Sequence, residues 1–397
     1  MVWNYHGANV VHTTGSTRIL ANRPSQSVRM TDCHRSCLLA AHLRRLIKAN
    51  GPLTVARYMS EALNNPSFGY YTTRDPLGTG GDFTTAPEIS QMFGELIGAW
   101  FIDCWRQLGE PDPVLLVELG PGRGTLISDL WRGIAVSPDF RAAVRFCLVE
   151  ASPVLRTQQQ QRLSNLRPLP AFDWYSRLAD VPDGTLLLIG NEFFDTLPVH
   201  QFVAGADGWR ERLVDRDLCQ ADAFRYVLSP GRTPATALLD VGNKSANAME
   251  VCPSGLSLAH DIAERVTRVG GAALIVDFVA TYLDFSLQAI RGHDHHDPLI
   301  NPGTADLACA VNFAALSNVA RTAGALVHGP CGQGAFLESL GISSRAERLA
   351  QGVDAETSRI VHSGRRRLTE PDFMGELFQA MAITSRSLVS VAGFDAK

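Results

Sequence analysis

The sequence predicts an α/β fold: a doubly wound, mostly parallel sheet with an N-terminal helical segment and an inserted lobe of hairpins and helix. Three observations carry this expectation. An apolar run, Val114 to Val117, ends in an acid and a glycine-rich turn that opens a helix-like segment. Short apolar runs then alternate with helical patterns, as in a sheet covered on both faces. The chain's 397 residues are 45% hydrophobic and 19% charged, enough to bury a large core in one domain with insertions or in two.

Residues 1–29 carry Arg18, Arg23 and Arg29, several Ser and Thr, and no acid. They read as a disordered leader upstream of Met30 or as a transit peptide, with the leader extending to residue 37. Residues 38–49 have a helical apolar pattern stopped by Asn50-Gly51-Pro52. Thr54 caps a second helix ending near Leu63, where Asn64-Asn65-Pro66 breaks the pattern. Residues 68–87 form a long loop rich in Gly, Thr and aromatics, a length that marks function or disorder, and the aromatics favour function. Pro87 starts a long helix whose stripe from Ile89 to Leu108 reads as core packing, closing an N-terminal segment over 38–110.

A sheet domain is expected over 111–345. Its strands are 114–119, 145–150, 185–190 and 272–277, and its helices are 125–134, 153–163 and 257–269. Residues 200–228 read as hairpin material turning at Asp207-Gly208, within an insertion over 200–255. Residues 346–397 are left as a C-terminal extension.

The turn reads Glu118-Leu119-Gly120-Pro121-Gly122-Arg123-Gly124-Thr125. The glycines let backbone approach a ligand where a Cβ would collide. Thr125 stands where the dinucleotide fingerprint needs its third glycine. An acid two residues before the first glycine suits a ligand with a positive group, and S-adenosylmethionine has an ammonium and a sulfonium. Glu118 is therefore assigned to the methionine end, with Gly120, Pro121, Gly122 and Gly124 as the cradle. Glu150, 26 residues beyond Gly124, is placed to accept hydrogen bonds from ribose hydroxyls. Asp173, beside Trp174, reads either as an adenine contact or as an ordinary loop acid. Glu192 and Asp195 end the third predicted strand, where two carboxylates could orient a guanidinium acceptor. Asp195 could equally cap a helix.

Other chemistries find less support. Residues 293–297 (His-Asp-His-His-Asp) read as a solvated loop rather than a metal site, and no metal is expected. Neither a phosphate loop nor a Gly-x-Ser-x-Gly elbow occurs. A net charge of −4 supplies no basic field for nucleic acid. No apolar run approaches the roughly 20 residues of a membrane span. Eight scattered cysteines without a Cys-x-x-Cys pair suggest free thiols in a reducing compartment. The expected location is cytoplasmic, with the mitochondrial matrix as alternative.

Residues 51–59, 68–71 and 80–95 resemble the MidA-like family of class I S-adenosylmethionine-dependent methyltransferases, and 117–126, 191–199 and 302–307 fit the same family in order. The likeness spans roughly residues 38 to 345. It implies a Rossmann-like methyltransferase sheet with S-adenosylmethionine as cofactor. It further implies methylation of a protein arginine, since the family's mitochondrial members act on a core subunit of respiratory complex I during assembly. By the resemblance, Gly81, Asp82, Thr84, Glu88 and Ser90 lie in a loop closing over the cofactor, and Glu192 and Asp195 face the acceptor. The chain departs from the family at Asp277-Phe278-Val279, at residues 283–286 and at Val311-Asn312-Phe313. Those departures motivate the alternative of a cofactor-binding assembly factor with weak or no turnover.

Overall fold

In a computed structural model of the chain, the described residues are 26–73, 84–220, 222–239, 247–280 and 285–394. Residues 1–25 of the expected leader lie outside them, as do Gly81 and Asp82. The seven strands of the main sheet, in chain order, are β1 (Val114–Leu119), β2 (Val144–Val149), β3 (Phe172–Tyr175), β4 (Leu186–Asn191), β5 (Gly271–Phe278), β6 (Leu326–Gly332) and β7 (Phe378–Thr384). Their spatial order is β6-β7-β5-β4-β1-β2-β3. Strands β1 to β5 pair in parallel, and β7 runs antiparallel to both β5 and β6. The chain reverses its lateral direction between β1 and β4, so a crevice opens at their carboxyl ends.

Alternation along the strands assigns the two faces. Leu116, Leu187 and Leu274 pack with the helix Gln91–Gln107 and the helix Thr125–Gly133. Val117, Leu188 and Ile275 pack with the helices Pro253–Val269 and Phe313–Thr322 on the other face. Both faces are covered, which is why the strands are continuously apolar.

A second sheet carries the strands Leu53–Thr54, His200–Gly205, Gly208–Arg216, Phe224–Leu228 and Ala248–Val251. It shares a third cluster with helices Gln26–Asn50 and Val55–Asn64, through Leu43, Tyr58, Met59 and Val214. Thr54 caps the second of these helices, accepting from Arg57 N–H at 3.0 Å. A three-stranded sheet, Gln288–Arg291, Asp294–His296 and Asp306–Ala308, lies beside this lobe.

Several expectations are corrected. The first helix begins at Gln26, so residues 26–37 are helical where a leader was expected. Residues 70–73 form a short helix within the expected loop, and Pro87 opens only the short helix Ala86–Ile89, the long helix starting at Gln91. Asp173 sits on β3, because 172–175 pairs with β2 instead of forming a loop. Asp294–His296 is a short strand paired with Gln288–Arg291, where a solvated loop was expected. The sheet does not end by residue 345: β7 inserts between β5 and β6. Its signal, a short apolar run, is ambiguous until a partner strand is known.

Candidate functional site

A cavity of about 740 Å³ opens at the carboxyl ends of β1, β2 and β4. The glycine turn forms one wall. Gly120, Gly122 and Gly124 have φ of 60°, 53° and 76°, in the left-handed region that disfavours side chains. A Cβ on Gly120 would stand 2.7 Å from the Phe193 ring. Gly124 is the N-cap of Thr125–Gly133, so this helix points its amino end at the cavity. Glu88 lines the same wall and accepts the Thr125 hydroxyl, and an acid there complements the helix dipole.

Glu118 lines the floor, is 4% exposed, and has an unpaired buried Oε2. Burial first, and Glu150 second, push its carboxyl up to about 8. A buried acid without a partner is costly, and a cationic ligand group would supply that partner. Glu150 accepts Ser152 N–H at 2.8 Å and the Gln159 amide at 3.2 Å. Burial raises its pKa while these two bonds pull it back. Each of its oxygens keeps a lone pair for a hydroxyl donor. Gln159 also donates to Gly122 O at 2.8 Å and accepts Trp174 Nε1 at 2.9 Å, so it ties the turn to β3. The unpaired Glu118 oxygen, the left-handed glycine turn beside it and the second acid, Glu150, fit S-adenosylmethionine.

The opposite wall is the end of β4. Glu192 has φ of 49°, unusual for a residue with a Cβ, and such strain gathers at functional sites. Its Oε1 accepts Ala86 N–H at 2.7 Å and the Asn191 amide at 3.1 Å. Burial pushes its carboxyl up to about 7 against those bonds. Asp277 fastens this turn, accepting Phe193 N–H at 3.1 Å and Phe194 N–H at 2.8 Å. Asp195 sits just behind, with Oδ1 buried and unpaired. Burial first, then the charges of Asp277, Asp306 and Glu192, raise its pKa.

The cavity therefore gathers Glu118, Gly120, Pro121, Gly122, Glu150, Glu88 and Glu192. Asp195 and Thr84 stand near its edge but do not line it. Ser90 does another job: it caps Gln91–Gln107, accepting Met92 N–H at 3.3 Å. Asp173 points outward from β3 and is exposed, while Ser176 lines the cavity instead. Sequence reasoning passed over Asp277, although the rule that reads acids at strand ends covers it. Tyr71 and Asp306 were missed because their pairing joins residues 235 positions apart. Among the described residues, no group of His, Cys, Asp or Glu is arranged to hold a metal ion, and no helix is long and apolar enough to cross a membrane. All eight cysteines are free.

A family model described as "Putative S-adenosyl-L-methionine-dependent methyltransferase" matches residues 96–331. The human protein arginine methyltransferase NDUFAF7, mitochondrial, is 39% identical over 368 residues, covering 86% of this chain and 82% of that protein. The Drosophila melanogaster homolog is 39% identical over 389 residues, covering 91% and 87%. A crystal structure of a Burkholderia thailandensis protein bound to S-adenosyl-homocysteine superposes with a TM-score of 0.80 at 26% identity, covering 94% and 97%. Both curated relatives are mitochondrial by name, which runs against the cytoplasmic expectation and with its alternative.

Proposed function

The chain belongs to the S-adenosylmethionine-dependent methyltransferases of the MidA-like family, and from that premise we propose that it methylates an arginine nitrogen of a mitochondrial protein. The proposed acceptor is a subunit of respiratory complex I, as the family resemblance implies. When bound, the cofactor supplies an electrophilic methyl group on a sulfonium.

The chain's own residues bind, align and take up a proton. Glu118 meets the positive methionine end, the glycine turn lets backbone approach, and Glu150 accepts from the ribose hydroxyls. Glu192 orients the guanidinium at the cavity wall, and the charge of Asp195 behind it helps draw positive charge away from the attacking nitrogen. With S-adenosylmethionine bound, these residues would hold that nitrogen in line with the sulfonium methyl, whose transfer to nitrogen would leave the S–CH₃ electron pair on sulfur. The methylated nitrogen then sheds a proton, and Glu192, with its carboxyl near 7, is poised to accept it.

The observation that carries this reading is the pairing of a strained Glu192 at the cavity wall with an unpaired Asp195 oxygen behind it. The alternative of a cofactor-binding assembly factor with weak or no turnover loses one of its motives. Asn312 accepts Ala315 N–H at 3.0 Å as the cap of Phe313–Thr322, a task Asp would do equally. The test incubates the full chain with methyl-labelled S-adenosylmethionine and a mitochondrial protein extract. Labelled methyl-arginine is expected in a complex I subunit. Glu192→Gln should slow incorporation about a hundredfold while S-adenosyl-homocysteine still binds. Label on another residue type, or none on arginine, would remove the arginine reading.

A further inference from the structure

Four carboxylates stand at the acceptor end, and their partners sort them. Asp277 uses both oxygens on backbone N–H groups of Phe193, Phe194 and Phe278, so it shapes the turn. Glu192 holds Ala86 and Asn191. Asp195 leaves Oδ1 unpaired. Asp306 accepts the Tyr71 phenol at 2.7 Å.

Tyr71 reaches the cofactor end as well. Its carbonyl accepts Ser152 Oγ at 2.8 Å, and Ser152 N–H donates to Glu150 Oε1 at 2.8 Å. Beyond Asp306, Cys309 N–H donates to the Asp195 carbonyl at 2.8 Å. A bonded path thus runs from Glu150 through Ser152, Tyr71 and the strand Asp306–Ala308 to Asp195. The helix Tyr70–Thr73 is itself clamped, with the Thr72 and Thr73 hydroxyls each donating at 2.7 Å to the carbonyls of Asn65 and Gly69 respectively. Its backbone therefore cannot shift without moving the phenol.

We propose that Tyr71 is a positioning residue that couples the two halves of the site. Filling the cofactor end braces Ser152 and Tyr71, and the phenol then fixes Asp306 and the strand that holds Asp195. An acceptor meets ordered carboxylates only once the methyl donor is in place, and by linkage the acceptor tightens donor binding equally. A phenol–carboxylate bond is charge-assisted and directional, so it can transmit this order. The inference rests on the methyl-transfer reading above.

Tyr71→Phe removes the hydroxyl and keeps the ring that packs on Tyr70, 5.1 Å between centroids. Asp306→Ala removes the acceptor of the same bond from the other side. Hydrogen exchange on the full chain, with and without S-adenosyl-homocysteine, needs no acceptor. In the wild type, ligand is expected to slow exchange at 120–124 and also at 194–196 and 306–309. In either variant only the cofactor end should slow. Methyl incorporation into the mitochondrial extract should fall about tenfold in Tyr71→Phe, with S-adenosyl-homocysteine affinity changed less than about twofold. Distant protection that survives in both variants, or is missing from the wild type, would overturn the coupling. If the wild type labels no arginine, the functional reading fails, and exchange still judges Tyr71.

Discussion

Glu118 holds a buried carboxyl with one oxygen unpaired, pushed up to about 8. An unfolded chain loses that proton at about pH 4.3, so between those values the folded apo protein binds a proton that the unfolded chain does not. Its contribution to apo stability is therefore full below the unfolded pKa and is lost as pH rises toward 8. A cationic ligand reverses the balance, because it favours the ionised acid. S-adenosyl-homocysteine affinity is expected to weaken as pH falls below 8, by up to about tenfold per unit, as calorimetry across pH would read. Glu118→Gln should weaken binding and flatten both dependences. A pH slope that persists in the variant would assign the proton elsewhere. The place of Glu118 at a strand end beside the glycine turn was legible in their spacing, but its proton affinity was not, because burial belongs to the folded molecule.

Ser90 shows how an element can claim a residue that a motif seemed to own. It lies within a family-like stretch, yet its hydroxyl caps Gln91–Gln107 and its Cβ lies 3.3 Å from where a Gly364 Cβ would stand. Ser90→Ala is expected to cost about 1 kcal/mol in thermal or chemical unfolding. S-adenosyl-homocysteine affinity should not change. A large loss of affinity at unchanged stability would return Ser90 to the cofactor site. The helix start at Thr54 was readable because a cap needs only a polar side chain and the next turn, whereas the sequence reads Pro87 as the start of the helix that Ser90 caps. Asp173 was misplaced because four residues, 172–175, become a strand only through β2 beside them.

Across the whole molecule, residues 346–394 supply a strand of the main sheet and side chains of its core. β7 pairs in register with β5 from Ala272–Thr384 to Phe278–Phe378, and β6 depends on it. Near the boundary, Arg345 donates to buried Glu95 at 2.8 and 3.1 Å, and Arg132 joins at 3.2 Å, docking the helix Ile342–Ala350 onto Gln91–Gln107. A chain ending at residue 345 would expose both edges left by β7 and unseat this helix. It is expected to be insoluble or unfolded by circular dichroism, and a cooperative melt like that of the full chain would refute this.

By itself the amino-acid order determined the mostly parallel α/β sheet, the glycine turn after β1 and the acids at the ends of β1, β2 and β4. Each of these is written within a few consecutive residues, where apolar period, glycine spacing and caps act locally. Only the tertiary structure decided that Asp277 fastens the turn after β4, that Tyr71 bonds Asp306 across 235 positions, and that the final strand completes the sheet. Those facts depend on which distant segments become neighbours, and packing of the whole chain sets that.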